Sequence, residues 1–257
     1  TDPANVEQAL TSRTRLVWLE TPSNPMLLIS DIREIAHRVK KSGVPDAPVM
    51  ICVDNTWATP VLQRPLELGA DLVMHSVTKY IGGHSDILAG AIILKEIGEF
   101  SDRIQVTQKQ IGAVVAPFEA WLLVRSVKTL VARMRMHCDN ARKIAAFLNS
   151  HPRVEKVYYP GLPDAQGHAI AKSQMSDFGG MISAQFDGKK DQIMKGITRA
   201  RLFSVATSLG GVESLWEHRQ SSEGPTSTTP ENLVRLSIGI EHPDDLIEDI
   251  DQVLKKL

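Results

Sequence analysis

Cysteine is scarce: this 257-residue chain has two, Cys52 and Cys138. They form no CxxC pair, a bridge between them is not expected, and a metal framework built on thiolates is excluded. The eight histidines are scattered and never fall in the HExxH spacing of a zinc helix, so no metal site is expected. Excess charge is lacking too: 29 Lys and Arg against 30 Asp and Glu give a net charge of −1, no electrostatic ground for a nucleic-acid or anionic-membrane partner. No apolar run approaches the roughly 20 residues of a membrane span, and no signal peptide is visible. Repeats and low-complexity tracts are absent. These absences point to a reducing, cytoplasmic setting. The chain also lacks an initiator methionine. Its opening, Thr1-Asp2-Pro3-Ala4-Asn5-Val6, reads as the middle of a fold, and a fragment or processed product is expected. With 42% hydrophobic and 23% charged residues it reads as a globular chain able to bury a core.

The most informative window is Ala70 to Asp86. An apolar stretch, Leu72 to Met74, suits a buried strand. It runs into His75-Ser76-Val77-Thr78-Lys79-Tyr80 and then Gly82-Gly83. Partial desolvation at a strand end lowers a lysine pKa and makes the amine a nucleophile toward carbonyls. Ser76 and Thr78 can donate to phosphate oxygens, and the paired glycines allow close backbone approach. Lysine with phosphate donors is what a pyridoxal phosphate (PLP) site requires. The competing reading is a surface lysine in a Ser/Thr-rich turn.

A second window adds to this. Val49 to Val53 reads as a buried strand ending in Asp54-Asn55-Thr56. A carboxylate there needs a partner, and the protonated pyridine nitrogen of PLP is one. The competing role for Asp54 is a cap or turn former. Arg235, in the apolar run Leu233 to Ile238, also needs an anion; a carboxylate suits its planar fork, and a structural ion pair is the alternative. A metal hydrolase using Asp54, His75, His84 and Asp86 is a distant further reading.

Five segments together, Glu20-Thr21-Pro22-Ser23-Asn24-Pro25, Val53 to Thr56, His75 to Tyr80 with Gly83 to Asp86, Ser208 to Leu215 and Arg235 to Glu241, resemble the Cys/Met-metabolism PLP enzymes. This transsulfuration group includes cystathionine γ-synthase, cystathionine γ-lyase and cystathionine β-lyase. The resemblance covers the C-terminal two-thirds of such enzymes. It implies an α/β architecture of the aminotransferase-like type (fold type I), with a mostly parallel sheet, helices on both faces and a smaller C-terminal α+β domain. It implies PLP held as an aldimine on Lys79, with Asp54, Ser76, Thr78 and Asn24 binding the cofactor. It assigns Arg235, Ser208 and Asn24 to the substrate. The implied chemistry is β- or γ-elimination, or γ-replacement, on a sulfur amino acid or activated homoserine, by a lyase or transferase of methionine and cysteine metabolism. A homotetramer, a dimer of dimers, is implied. Thr207 departs from the glutamate common before that serine in γ-synthases and γ-lyases, and Trp216-Glu217-His218-Arg219-Gln220 departs as well. A catalytically silent fragment or partner subunit is the alternative expectation. Because the glycine-rich phosphate turn, stacking ring and intersubunit arm of full-length relatives do not occur here, the isolated chain is expected to bind PLP poorly.

Local patterns predict a helix capped by Asp2 and ending near Ala9, a strand at Leu16 to Leu19, and a helix capped by Ser30 or Asp31 to about Lys41, closed by Gly43. A strand at Ala91 to Leu94 follows. Phe118 to Leu148 has neither proline nor glycine and predicts one long helix joining residues 1–130, the C-terminal part of a PLP-binding domain, to a small domain at 131–257. In the latter, strands are predicted at Val154 to Tyr159, Met181 to Phe186, Phe203 to Ala206 and Val234 to Ser237, with helices at Asp191 to Thr198 and Asp244 to Lys255. Gly224 to Pro230 is predicted as a surface loop.

Overall fold

The computed structural model describes residues 1–42, 48–224 and 226–257. Gly43, expected to close a helix, and Pro225 of the predicted loop lie outside the described residues.

The chain opens with α1 (Pro3–Ala9), where Asp2 accepts from the Ala4 amide at 2.9 Å. A cap of this kind satisfies one of the donors that a helix start leaves open. Strand β1 (Leu16–Glu20) follows, then α2 (Ile32–Lys41), capped by Asp31 rather than Ser30. Ile32, Ile35, Ala36 and Val39 lie on one face at helical spacing. They pack with Ile51 and Val53 of β2 (Met50–Asp54) and with Leu19. A short helix α3 (Thr59–Leu62) and a 3₁₀ turn (Pro65–Leu68) lead to β3 (Leu72–Ser76) and β4 (Gly90–Leu94). The sheet order is β1-β2-β3-β4, with the first three strands parallel and β4 an antiparallel edge. Glu20, Asp54 and Ser76 all end their strands on the same side, the carboxyl edge where ligands bind in such sheets.

Helices α4 (Glu99–Ile111), α5 (Pro117–Val127) and α6 (Leu130–Ser150) follow. The single helix expected from Phe118 to Leu148 is broken at Lys128 and Thr129, a correction with a tertiary cause. Thr129 leaves the helical region at φ −104°, ψ 1°. The Ser126 carbonyl accepts from the Thr129 amide and hydroxyl and from Arg133 Nη2, all within 3.1 Å. Arg133 thus replaces helix propagation with side-chain capping.

The second sheet comprises β5 (Val154–Tyr158), β6 (Met181–Phe186), β7 (Ser204–Val205), β8 (Leu215–His218) and β9 (Leu233–Ser237) in the order β5-β6-β9-β8-β7. It is antiparallel except for β7 against β8. Helices α7 (His168–Gln174), α8 (Lys190–Ile197), α9 (Arg219–Glu223) and α10 (Pro243–Leu254) complete the chain. Residues of α6, α8 and α10 form one core with β6, β8 and β9, centred on the fully buried Trp216. Strand β8 and helices α7 and α9 lay outside the predicted elements. Among the described residues no helix is long and apolar enough to cross a membrane.

Candidate active site

Where the carboxyl edge of the first sheet meets β9 and the loop before β8, a cleft of about 390 Å³ opens. Glu20, Asn24, Asp54, Ser76, Lys79 and Arg235 all line it, although they lie far apart in sequence.

Lys79 follows β3 in a turn closed by its own amide to the Ser76 carbonyl (3.1 Å) and by the Gly83 amide to the Lys79 carbonyl (2.7 Å). Gly83 has φ +69°, and a Cβ there would strike Arg133 Nη1. Gly83 therefore admits the Arg133 guanidinium, which donates to the Tyr80 and Ile81 carbonyls at 2.6 and 3.2 Å. From the other side Gly210, at φ +78°, presses on the Tyr80 amide. The lysine turn is thus clamped on both sides. Lys79 Nζ donates to Ser208 Oγ at 3.2 Å. Burial first, and the Arg235 charge second, lower the pKa of this amine against the opposing pull of Glu217.

Asp54 Oδ1 accepts from the Thr56 amide at 3.0 Å, the local turn bond foreseen as its alternative role, while the side chain also faces the cleft. Thr56 Oγ1 accepts from the Ser76 amide at 2.8 Å and so ties β2 to β3. The Ser76 side chain reaches the cleft. Thr78 does not line it: its hydroxyl donates to the Ala89 carbonyl and accepts from the Ala89 amide. Asn24 is brought in by the loop after β1, its amide donating to Glu20 at 2.9 Å and its Oδ1 accepting from Arg235 Nη1 at 3.0 Å. Burial raises the pKa of the Glu20 carboxyl despite that amide bond.

Arg235, 3% exposed, also donates to the Thr207 carbonyl at 2.6 Å and to the Ser208 carbonyl at 3.3 Å. Its charge is met by Glu217, opposite it in the β8–β9 register. Glu217 and Arg219 were marked in the sequence only as part of a segment departing from the family pattern, Leu209 only as part of a matching segment, and Trp57 not at all; none was given a site role. The meaning of Glu217 depends on a strand pairing the sequence does not display.

Among the described residues no group of three His, Cys, Asp or Glu side chains is arranged to hold a metal, so Asp54, His75, His84 and Asp86 form no such cluster. His75 is buried with Nδ1 unpartnered, and burial lowers its pKa although Asp54 opposes this. Cys52 and Cys138 are buried and free.

The donor set fits PLP by its chemistry. A lysine amine of lowered pKa can join an aldehyde, a strand-end carboxylate can face a pyridinium, and a hydroxyl can meet a phosphate.

A family model described as Cys/Met metabolism PLP-dependent enzyme matches residues 1–255. Cystathionine beta-lyase of Coxiella burnetii is 42% identical over 262 residues, covering 99% of this chain and 66% of the relative. Cystathionine gamma-synthase of Mycobacterium bovis is 47% identical over 254 residues, covering 97% of this chain and 64% of the relative. The crystal structure of metB from Corynebacterium glutamicum superposes with a TM-score of 0.91 at 45% identity, over 98% of this chain and 65% of that one. The chain spans 64–66% of the length of these curated relatives.

Proposed function

The chain belongs to the Cys/Met-metabolism family of PLP-dependent enzymes, and from that premise we propose that it acts on sulfur amino acids as a cystathionine γ-synthase or a cystathionine lyase. The observation that carries this reading is the meeting of Lys79, Asp54 and Arg235 in one cleft.

Lys79 would hold the cofactor, with Asp54 against its ring nitrogen, Ser76 against its phosphate and Asn24 beside it. Thr78 would join as a second phosphate donor by exchanging its bond to Ala89. PLP, when bound, supplies an electron sink for charge developing at the substrate Cα. Arg235 takes the substrate α-carboxylate and so fixes which Cα bond faces Lys79. Lys79 Nζ, already shifted toward the neutral amine, removes the Cα proton and, for departure from Cγ, a Cβ proton next, and it returns protons to Cγ and Cβ once the substituent has left. Ser208, 3.2 Å from Nζ, orients the amine for that transfer. Loss of the β- or γ-substituent as a thiol, with water hydrolysing the unsaturated amino acid that remains to a 2-oxo acid and ammonia, is elimination; exchange of the γ-substituent for a thiol is γ-replacement. Relatives bearing both synthase and lyase names lie at similar identity, so the reaction is set by residues such as Thr207 rather than by overall likeness.

Further parts of the reading follow. The division into 1–130 and 131–257 is supported by the two separate sheets, one drawn from either side of it. Assembly as a homotetramer is supported by the apolar side chains of α5 left exposed. A reducing cytoplasm is supported by two free, buried cysteines.

The test is a turnover panel on PLP-loaded protein: cystathionine, methionine, and O-acylhomoserine with cysteine, with products identified. A 2-oxo acid with ammonia marks elimination, and a new thioether marks replacement. PLP uptake without either product from any substrate would favour a catalytically silent partner chain.

A further inference from the structure

Arg235 shares its buried counter-ion. Glu217, 4% exposed, accepts from Arg235 Nη2, and the same oxygen, Oε1, accepts from Arg219 Nη1 at 3.0 Å. Glu217 Oε2 is occupied by the Ser222 hydroxyl at 2.8 Å. Arg219 is anchored in turn by Nε to Glu223 Oε1 at 2.8 Å, and Glu223 Oε2 takes the hydroxyls of Ser227 and Thr229, both at 2.6 Å. Arg219 also forms part of the cleft wall. A chain of contacts thus runs from the loop after α9, through Arg219 and Glu217, to the guanidinium in the cleft.

A carboxylate paired with Arg235 alone would neutralise it and compete with an incoming carboxylate for the same fork. The second guanidinium offsets that field: Glu217 and Arg219 act on Arg235 in opposite directions. We propose that Arg219 is a positioning residue, which holds Glu217 Oε1 so that Arg235 stays oriented and electrostatically open to the α-carboxylate of an amino-acid substrate. The inference rests on the assignment of Arg235 to that carboxylate.

With Arg219 removed, the Glu217 charge already in contact with Arg235 is no longer offset, and the substrate carboxylate must compete with it. Arg219→Gln should raise KM for the amino acid about tenfold, the scale of one charge-assisted hydrogen bond, with kcat nearly unchanged. Arg219→Lys keeps the charge and should recover most of the loss. The decisive readout is the affinity of the amino acid relative to its decarboxylated amine, each titrated by absorbance into the PLP-loaded protein. The amine does not use Arg235, so this ratio should fall about tenfold in Arg219→Gln while amine affinity holds. Equal weakening of both ligands, or no change in either, overturns the proposal. If Arg219→Gln does not fold, Glu223→Gln loosens Arg219 from outside the cleft and should lower the ratio about threefold, and an unchanged ratio overturns the proposal. Arg235→Gln is run beside these. A ratio that does not move there removes the carboxylate reading itself; a ratio that moves there but not with Arg219 removes only the present inference.

Discussion

Lys79 pays for its position in protonation: it is partly desolvated, lies within the field of Arg235, and its pKa is lowered for those reasons in that order. The folded protein therefore sheds this proton at lower pH than the unfolded chain. Between the folded pKa and the ordinary lysine value the unfolded state binds more protons, so stability rises with pH in that window. Lys79→Met should flatten the rise, as read by urea denaturation from pH 7 to 10; an unchanged slope would contradict the burial argument. The same substitution should abolish turnover, since general acid–base catalysis alone contributes about 10²–10⁴-fold and the covalent role adds to it. Asp54→Asn should keep the Thr56 turn bond yet lose most activity, because a neutral amide cannot hold a pyridinium charged. Wild-type rates there would leave Asp54 a turn residue. At this scale the sequence was readable where chemistry is local: a lysine after a strand and an aspartate ending another are visible in the order of residues. Glu217 was not, because its meaning comes from facing Arg235 across two strands.

At the scale of elements, periodicity exposed α2 and the three parallel strands; burial patterns the apolar residues of α2 and β2, while Leu16 and Trp18 of β1 stay exposed. It failed between α5 and α6, where no proline or glycine marks the break. There the decision belongs to Arg133, 4% exposed, which donates to the carbonyls of Tyr80, Ile81 and Ser126 and to the Thr129 hydroxyl. Helix propensity loses to the carbonyls of Tyr80 and Ile81, for which Arg133 is the donor, with the Ser126 carbonyl shared between Arg133 and Thr129. Arg133→Leu should cost about 3 kcal/mol by chemical denaturation, the scale of leaving such groups unpaired. Because Tyr80 and Ile81 directly follow Lys79, catalysis should fall as well, even in conditions where the variant is fully folded. Unchanged stability would mean that the break has another cause.

Across the whole molecule, apolar surface is distributed unevenly. The second sheet encloses Trp216 and Phe186 completely, whereas α5 leaves Phe118 66%, Trp121 54% and Val124 58% exposed. Phe118 and Trp121 stack with ring centroids 5.9 Å apart, forming a contiguous patch of the sort that marks an interface. The protein should sediment as an oligomer, and Trp121→Glu should shift it to smaller species; a monomer in the unsubstituted protein would contradict the assembly. Nothing in the sequence order alone predicted which helix carries this patch, since exposure follows from packing.

The central claim is that the cleft holds PLP through one particular amine. The direct measurement is to incubate the protein with PLP, reduce with borohydride, digest, and locate the pyridoxyl group by mass spectrometry. The account predicts a single labelled peptide carrying the group on Lys79, and its loss in Lys79→Ala. An unlabelled Lys79, or label spread over surface lysines to the same extent in both proteins, would contradict it.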